Sequence, residues 1–342
     1  MSGRDGREGA ASRGGGGQAT RSPVRRHPVL RIVQACVAVA ALAFLILYLA
    51  RSWSSVQAYD WRLRPAWLAA SGLVLFVSYI MSGATWWLIL RGCGLRPARL
   101  RTAATWGTSL LARYIPGTVF MFLGRYWMSV NQGLEAERVT AAMVYEQAVG
   151  VAGALVATAL LFPFWHYERG VTAWSLLIVP VLVALMHPRA FAPLANLALR
   201  LVHRQPLARV LSFRAVLGIL SWMVAYWFVA GLGCYCLAAA VTDVTAAALP
   251  VLTVAFALGY VAGMVAFFVP SGIGVREGVV AAASATVLPG GAVAVAWAVL
   301  LRLWQVLVEL VFVGVVVIAA RVARTRATGG RGLGRNDGTV DG

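Results

Sequence analysis

The sequence predicts an all-α polytopic membrane protein, with about eight transmembrane helices plus re-entrant or broken helices. Three observations carry this expectation. Of the 342 residues, 60% are hydrophobic and only 12% are charged, against about 25% charged in an ordinary soluble domain; mean hydropathy is +0.77. The apolar residues fall in runs long enough for a hydrocarbon core of about 30 Å. The basic residues gather between those runs and at the chain ends. A cytosolic enzyme, a disordered chain and a disulfide-stapled secreted module are excluded.

The elements follow in order. Residues 1–28, rich in Gly, Arg and Ser, read as a disordered basic cytoplasmic tail. Ile32–Ala50 follows a cluster of arginines, lacks a convincing cleavage site and reads as an uncleaved first span. Ala66–Leu90 is the second span, anchored by Trp67 and Trp86-Trp87 at its ends. Val139–Phe162 is the third, and Val171–Met186, holding Pro180, is a short fourth. Val216–Val241 and Ala246–Val269 come next. Ala292–Ala320 is long enough to span with tilt, and residues 321–342 read as a second disordered basic tail. The membrane domain is thus 29–320.

Two apolar segments carry helix breakers and charge. Thr102–Val130 is interrupted at Tyr114-Ile115-Pro116-Gly117, and Pro270–Leu288 opens with Pro270-Ser271-Gly272-Ile273-Gly274-Val275-Arg276-Glu277-Gly278. Irregular backbone at membrane depth survives only when buried in protein or lining a wet cavity. The two segments also suggest a two-fold internal repeat. Pro116, Arg125, Gly133 and Glu146 are echoed by Pro270, Arg276, Gly290 and Arg302. Paired interrupted segments of this kind point to a transporter-like site.

Charge sets the orientation. All 30 basic residues are Arg, against 12 acids, a formal net charge of +18. Both tails, Arg31 and the acid-free loops Arg91–Arg101 and His187–Arg214 hold 17 of those net charges. The positive-inside rule therefore places both termini in the cytoplasm, with an even number of crossings. The count closes at eight if Thr102–Val130 is a re-entrant hairpin and Gly274–Leu288 crosses. The basic surplus does not imply nucleic acid, because no soluble basic face exists to bind it.

Seven ionisable residues lie within or beside apolar segments: Arg113, Arg125, Glu146, Arg276, Glu277, Arg302 and Glu309. Each costs about 2.5–3.5 kcal/mol at a helix centre when unpaired. They must pair, meet a ligand or face water. Four Arg against three Glu leaves one positive charge over, which suits an anionic partner such as a phosphate. Gly272, Gly274 and Gly278 permit close backbone approach, and the helix starting near Val275 turns free N–H groups toward the break, a phosphate cradle. Equally, Arg276 and Glu277 can pair with Glu146, Glu309 or Arg302 simply to lock the bundle.

Other chemistry is sparse. Cys36, Cys93, Cys234 and Cys236 show neither zinc nor redox spacing. No nucleotide-binding Gly-rich run, His-x-x-x-His or Gly-x-Ser-x-Gly pattern occurs. No metal or other cofactor is implied.

The Pro270–Gly278 run resembles the Pro-Gly-Gly-x-Gly-x-Arg-Glu signature of the lysylphosphatidylglycerol synthase transmembrane-region family, also called the flippase-like domain family. Ile115-Pro116-Gly117 with Arg125, Gly133 and Tyr145-Glu146 is similar to its first-half pattern. That half departs from the family in having no acid in Thr118-Val119-Phe120-Met121, and Glu146-Gln147 where Glu-Arg is usual. The resemblance covers roughly residues 30–320. It implies a membrane domain that moves or accommodates an anionic lipid. Only 22 residues follow the last expected span, so the soluble aminoacyl transferase domain of full-length synthases is not expected here, and neither is enzyme activity.

The expected function is translocation of an anionic phospholipid or polyprenyl-phosphate lipid across the cell membrane. Arg125 and Arg276 would hold phosphate, with Arg302 beside them. Glu146 and Glu277 would pair with those arginines in the empty cavity. Pro116, Gly117, Pro270, Gly272 and Gly274 would allow the breaks. The alternative is a non-transporting scaffold for a glycosyltransferase or lipid-modifying enzyme, with loop His187–Arg214 docking that partner or lipid head groups.

Overall fold

The computed structural model describes residues 59–114, 119–165, 169–201, 206–207, 210–266 and 274–333, with Ala50 and Gln57 besides. The N-terminal tail and all but the last residue of Ile32–Ala50 lie outside the described residues, as do Pro116, Gly117, Pro270 and Gly272. The described residues form helices and turns without a strand.

Ten α-helices follow in chain order among the described residues. They are α1 (Pro65–Gly92), α2 (Arg99–Leu111), α3 (Val119–Val130), α4 (Ala136–Leu161) and α5 (Arg169–Leu185), then α6 (Pro188–Leu201), α7 (Phe213–Val241), α8 (Ala248–Val265), α9 (Val275–Ser284) and α10 (Gly291–Leu333). Five of them, α1, α4, α7, α8 and α10, are long and apolar enough to cross a membrane, and the bent pair α5–α6 is a sixth candidate. Local chemistry sets several boundaries. Pro65 opens α1, where a missing N–H costs nothing. Ser212 caps α7 by accepting from the Ala215 N–H at 3.3 Å.

Contacts fix the directions. α1 and α7 run antiparallel: the Arg64 N–H donates to Ala240 O at 2.8 Å, Ser71 Oγ to Gly233 O at 2.8 Å and Trp222 Nε1 to Met81 O at 3.0 Å. α7 and α8 are antiparallel as well, with Trp227 against Phe256 and Tyr260 at 5.7 and 5.0 Å between ring centroids. α10 runs parallel to α1, since Trp304 Nε1 donates to Ser71 Oγ at 3.2 Å while Phe312 packs on Phe76 and Tyr79. α4 starts beside the end of α1, where Arg138 donates to Gly94 O at 3.4 Å.

These directions define one end of the bundle, where α1 finishes and α2, α4 and α7 begin. Loop Arg91–Arg101 lies there, so we call it the basic end. Lipid cannot drive helices together by hydrophobic burial, so close backbone approach at small residues does that work. A Cβ placed on Gly231 would run into Thr253, and one on Gly233 would come within 2.7 Å of Leu75. The lipid side carries exposed apolar residues such as Leu73, Ile80, Val311 and Ile318.

Both broken segments are hairpins. In the first, α2 and α3 run antiparallel: Gln132 Nε2 donates to Thr105 Oγ1 at 2.7 Å and Arg125 Nε to Ser109 Oγ at 2.9 Å. With 13 and 12 residues they reach about 20 Å, short of a crossing. In the second, α9 runs antiparallel to α10 and therefore to α8. It has ten residues, about 15 Å, so it turns back as half a span, which corrects the expectation that Gly274–Leu288 crosses and with it the closing of the count at eight. The first hairpin enters from the basic end and the second from the opposite end. Gly133 and Gly290, with φ of +84° and +89°, make the left-handed turns ahead of α4 and α10, so the two halves share turn chemistry as well as order.

Two further expectations need correction. The basic stretch His187–Arg214, read as a loop, contains the 14-residue helix α6. Phe191, Leu194, Ala195 and Leu197 recur at helical spacing, a signal that counting charge passes over. The last helix continues to Leu333, past the expected end at Ala320. Residues 321–328 hold no Gly or Pro, so nothing in that stretch stops it.

Candidate functional site

Among the described residues, the ionisable side chains inside the bundle form three ion pairs and leave one arginine over. In the first half, Arg125 of α3 pairs with Glu146 of α4. Arg125 is 1% exposed, and its head is held by several partners. Its Nε donates to Ser109 Oγ at 2.9 Å, and its guanidinium carbon lies 5.3 Å from the Trp86 ring centroid and 5.8 Å from that of Trp106. The other oxygen of Glu146 accepts from Trp106 Nε1 at 2.8 Å. A charge this deep persists because it is paired with a carboxylate and hydrogen-bonded.

In the second half the polarity is reversed. Glu277 of the short helix α9 faces Arg302 of the long helix α10 at 3.7 Å. Of the partners the sequence left open for Glu277, it takes Arg302, offered by the bundle-locking alternative, and not Arg276. Adjacent residues on a helix point about 100° apart and cannot face each other. Between the halves, Arg113 at the tip of the first hairpin pairs with the fully buried Glu309 of α10, and Tyr79 of α1 donates to the same carboxylate at 3.2 Å.

The leftover cation is Arg276. Among the described residues its partners carry no charge: it donates to Gln305 Oε1 at 2.9 Å and lies 5.0 Å over the Phe256 ring. Arg276, Glu277, Arg302 and Gln305 line a small cavity between α9 and α10. Two tyrosines border the same region. Tyr260 lies within electrostatic reach of Glu146, Arg125 and Arg276, and Tyr226 within reach of Arg276 and Arg113. Neither hydroxyl has a hydrogen bond among the described residues. Tyr260 lies between the halves: its hydroxyl packs against Gly150, one turn from Glu146 on α4, while Phe256, one turn before it on α8, lies under Arg276.

The start of α9 is built differently from the open cradle expected of it. Gly274 has φ +87°, a left-handed conformation that favours glycine. Its N–H donates to Glu277 Oε2 at 2.7 Å. Glu277 thus caps its own helix and compensates the helix dipole. An anion arriving there would compete with this carboxylate, which already has Arg302 as an alternative partner.

The structure thus describes six of the expected site residues, Arg125, Glu146, Gly274, Arg276, Glu277 and Arg302. Pro270 and Gly272, with the helix-break residues Pro116 and Gly117, lie outside the described residues. Sequence reasoning missed Ser109, Trp106, Tyr79 and Gln305. These are ordinary residues in apolar helices, and only the packing shows that they face the buried charges.

Comparison with known proteins agrees with this architecture. No curated protein matches the chain significantly. The family model for the lysylphosphatidylglycerol synthase TM region matches residues 32–320, from the first expected span through the membrane part of α10 and across both hairpins. The chain therefore belongs to the lysylphosphatidylglycerol synthase transmembrane-region family, as a multi-pass helical membrane protein.

Proposed function

We propose that this protein translocates an anionic lipid between leaflets of the cell membrane, without enzymatic activity of its own. The observation that carries the reading is Arg276. It is a cation inside the bundle whose described partners are a neutral amide and an aromatic ring. An unneutralised arginine there costs several kcal/mol, a cost that a lipid phosphate would relieve through a bidentate contact.

The surrounding groups fit such a cargo. Arg276 gains a phosphate oxygen as Gln305 releases it. Glu277 yields the start of α9 and swings fully onto Arg302. The hydroxyls of Tyr226 and Tyr260 supply donors to a polar head group. Hairpins entering from opposite ends give each leaflet its own irregular wall, as in transporters whose broken helices meet near the midplane. The Arg113–Glu309 pair joins the tip of the first hairpin to α10, and would open as that hairpin moves. The basic end would face the cytoplasm by the positive-inside rule.

The test is mass spectrometry of lipids retained by the purified protein, wild type beside Arg276→Ala. It is paired with flipping of a fluorescent phosphatidylglycerol in vesicles that contain either protein. Selective enrichment of one anionic lipid and measurable flipping, both lost in the variant, are expected. Bulk-like lipid in both preparations, with no flipping, would overturn the reading in favour of a scaffold for a lipid-modifying enzyme.

A further inference from the structure

We infer that α6 is a membrane-surface helix that docks on an anionic lipid leaflet at the basic end, through Arg189 and Arg200. The chain bends by 73° between α5 and α6, so α6 lies across the direction of the spanning helices. It sits at the basic end, since Phe191 packs on Tyr145 at 4.6 Å and the Tyr145 hydroxyl accepts from the Leu211 N–H at 3.1 Å, just ahead of α7.

Its side chains divide three ways. At about 100° per residue, Phe191 and Ala195 share one sector, and both are buried against the bundle. Leu194 and Leu197 share a second sector and are 53% and 56% exposed. Arg189 and Arg200 share a third and are exposed. One sector is thus held by protein, one is apolar and uncovered, and one is cationic. A helix lying in the boundary between acyl chains and head groups needs this division.

Charge selects the kind of leaflet. Among the described residues neither Arg189 nor Arg200 pairs with a carboxylate. Nearby at the same end, Arg91 and Arg99 both stack on the Trp87 ring, 4.8 and 4.6 Å from its centroid. Among the described residues the acids at that end are Glu135, paired with Arg138, and Glu137. Cations held on an interfacial tryptophan, beside a helix with two more, form a surface complementary to phosphate-bearing head groups.

The experiment uses the full-length protein in nanodiscs, with its four cysteines replaced by alanine and a nitroxide attached at Leu197→Cys. Power saturation should place that label among the acyl chains, shielded from a water-soluble relaxing agent. A label equally open to that agent would overturn the proposal and point to a soluble partner. In mixed phosphatidylcholine and phosphatidylglycerol nanodiscs, Arg189→Gln/Arg200→Gln should lower the phosphatidylglycerol excess around the protein. About fivefold per arginine is the upper expectation at low salt. An excess unchanged in the double variant would overturn the anionic selectivity. Neither result bears on Arg276, so failure here and failure of the transport reading are distinguishable.

Discussion

Glu277 bridges the two sides of the break before α9, holding the Gly274 N–H at 2.7 Å with one oxygen and facing Arg302 at 3.7 Å with the other. It is 7% exposed, so removing its charge takes a close counter-charge away from the largely buried Arg302. Glu277→Ala should cost about 3–5 kcal/mol, the usual penalty for breaking a buried pair from one side. Glu277→Gln, combined with Arg302→Gln, should recover a large part of that loss, because no charge is left uncompensated. Thermal unfolding in detergent, followed by exposure of a cysteine-reactive dye, reads both. A double variant no more stable than the worse single one would show that the pair is not coupled.

The Arg125–Glu146 pair makes a sharper demand on side-chain shape. Arg125 uses Nε for Ser109 and a terminal nitrogen for Glu146. A lysine offers a single ammonium and cannot keep both contacts. Arg125→Lys should therefore lose stability nearly as far as Arg125→Ala, by about 3 kcal/mol or more. Full retention of the melting temperature by the lysine variant would show that charge alone matters there.

The seam between α7 and α8 depends on a missing side chain. A Cβ on Gly231 would collide with the Thr253 side chain at its Oγ1, Cβ and Cγ2 atoms. Thr253 is almost fully buried and has no free direction in which to move. Gly231→Val should separate the two helices and lower stability by about 1–3 kcal/mol or more, the cost of overpacking. Gly231→Val with Thr253→Ala should regain part of it. Gly218, where an added Cβ would meet nothing within 4 Å, is the control, and Gly218→Ala should change little.

Much of this fold was legible in the chain because the bilayer imposes simple rules. Ala66–Leu90, Val139–Phe162 and Val216–Val241 differ from α1, α4 and α7 by only a few residues at each end, since length and apolarity alone define a span. The first broken segment was legible as a hairpin because Pro116-Gly117 interrupts a run that must leave both flanking basic loops on one side. α6 was not legible from charge, because its arginines mask an apolar period. Of the site, the ionisable residues stood out by their cost in a membrane. Their pairing was legible only as a set of alternatives, because a sequence holds no record of which arginine Glu277 turns toward, or that Trp106 and Ser109 complete the shell of Arg125. Those contacts depend on how α2 folds back on α3.

At the end opposite the basic one, Arg64 ties the start of α1 to the end of α7. Its side chain donates to Ala239 O at 3.1 Å and Thr242 O at 3.3 Å, and it pairs with Asp243. The hydrogen bond and charge of Arg64 hold the Asp243 carboxyl below the usual carboxylate range. A depressed acid contributes its stability above the ordinary carboxylate value and loses it as pH falls through the lowered one. The clasp should therefore survive mild acid and release only in stronger acid. Because Asp243 is exposed, the effect should be confined to this corner rather than to global unfolding. Hydrogen exchange at the Arg64 and Thr242 amides, which donate to Ala240 O and Ala238 O at 2.8 Å each, is the measurement. Both should be protected at neutral and mildly acidic pH and should exchange faster below the carboxylate range. In Asp243→Asn the fast exchange should appear at neutral pH and lose its pH dependence; protection that is the same in variant and wild type at every pH would assign the clasp to the backbone carbonyls alone.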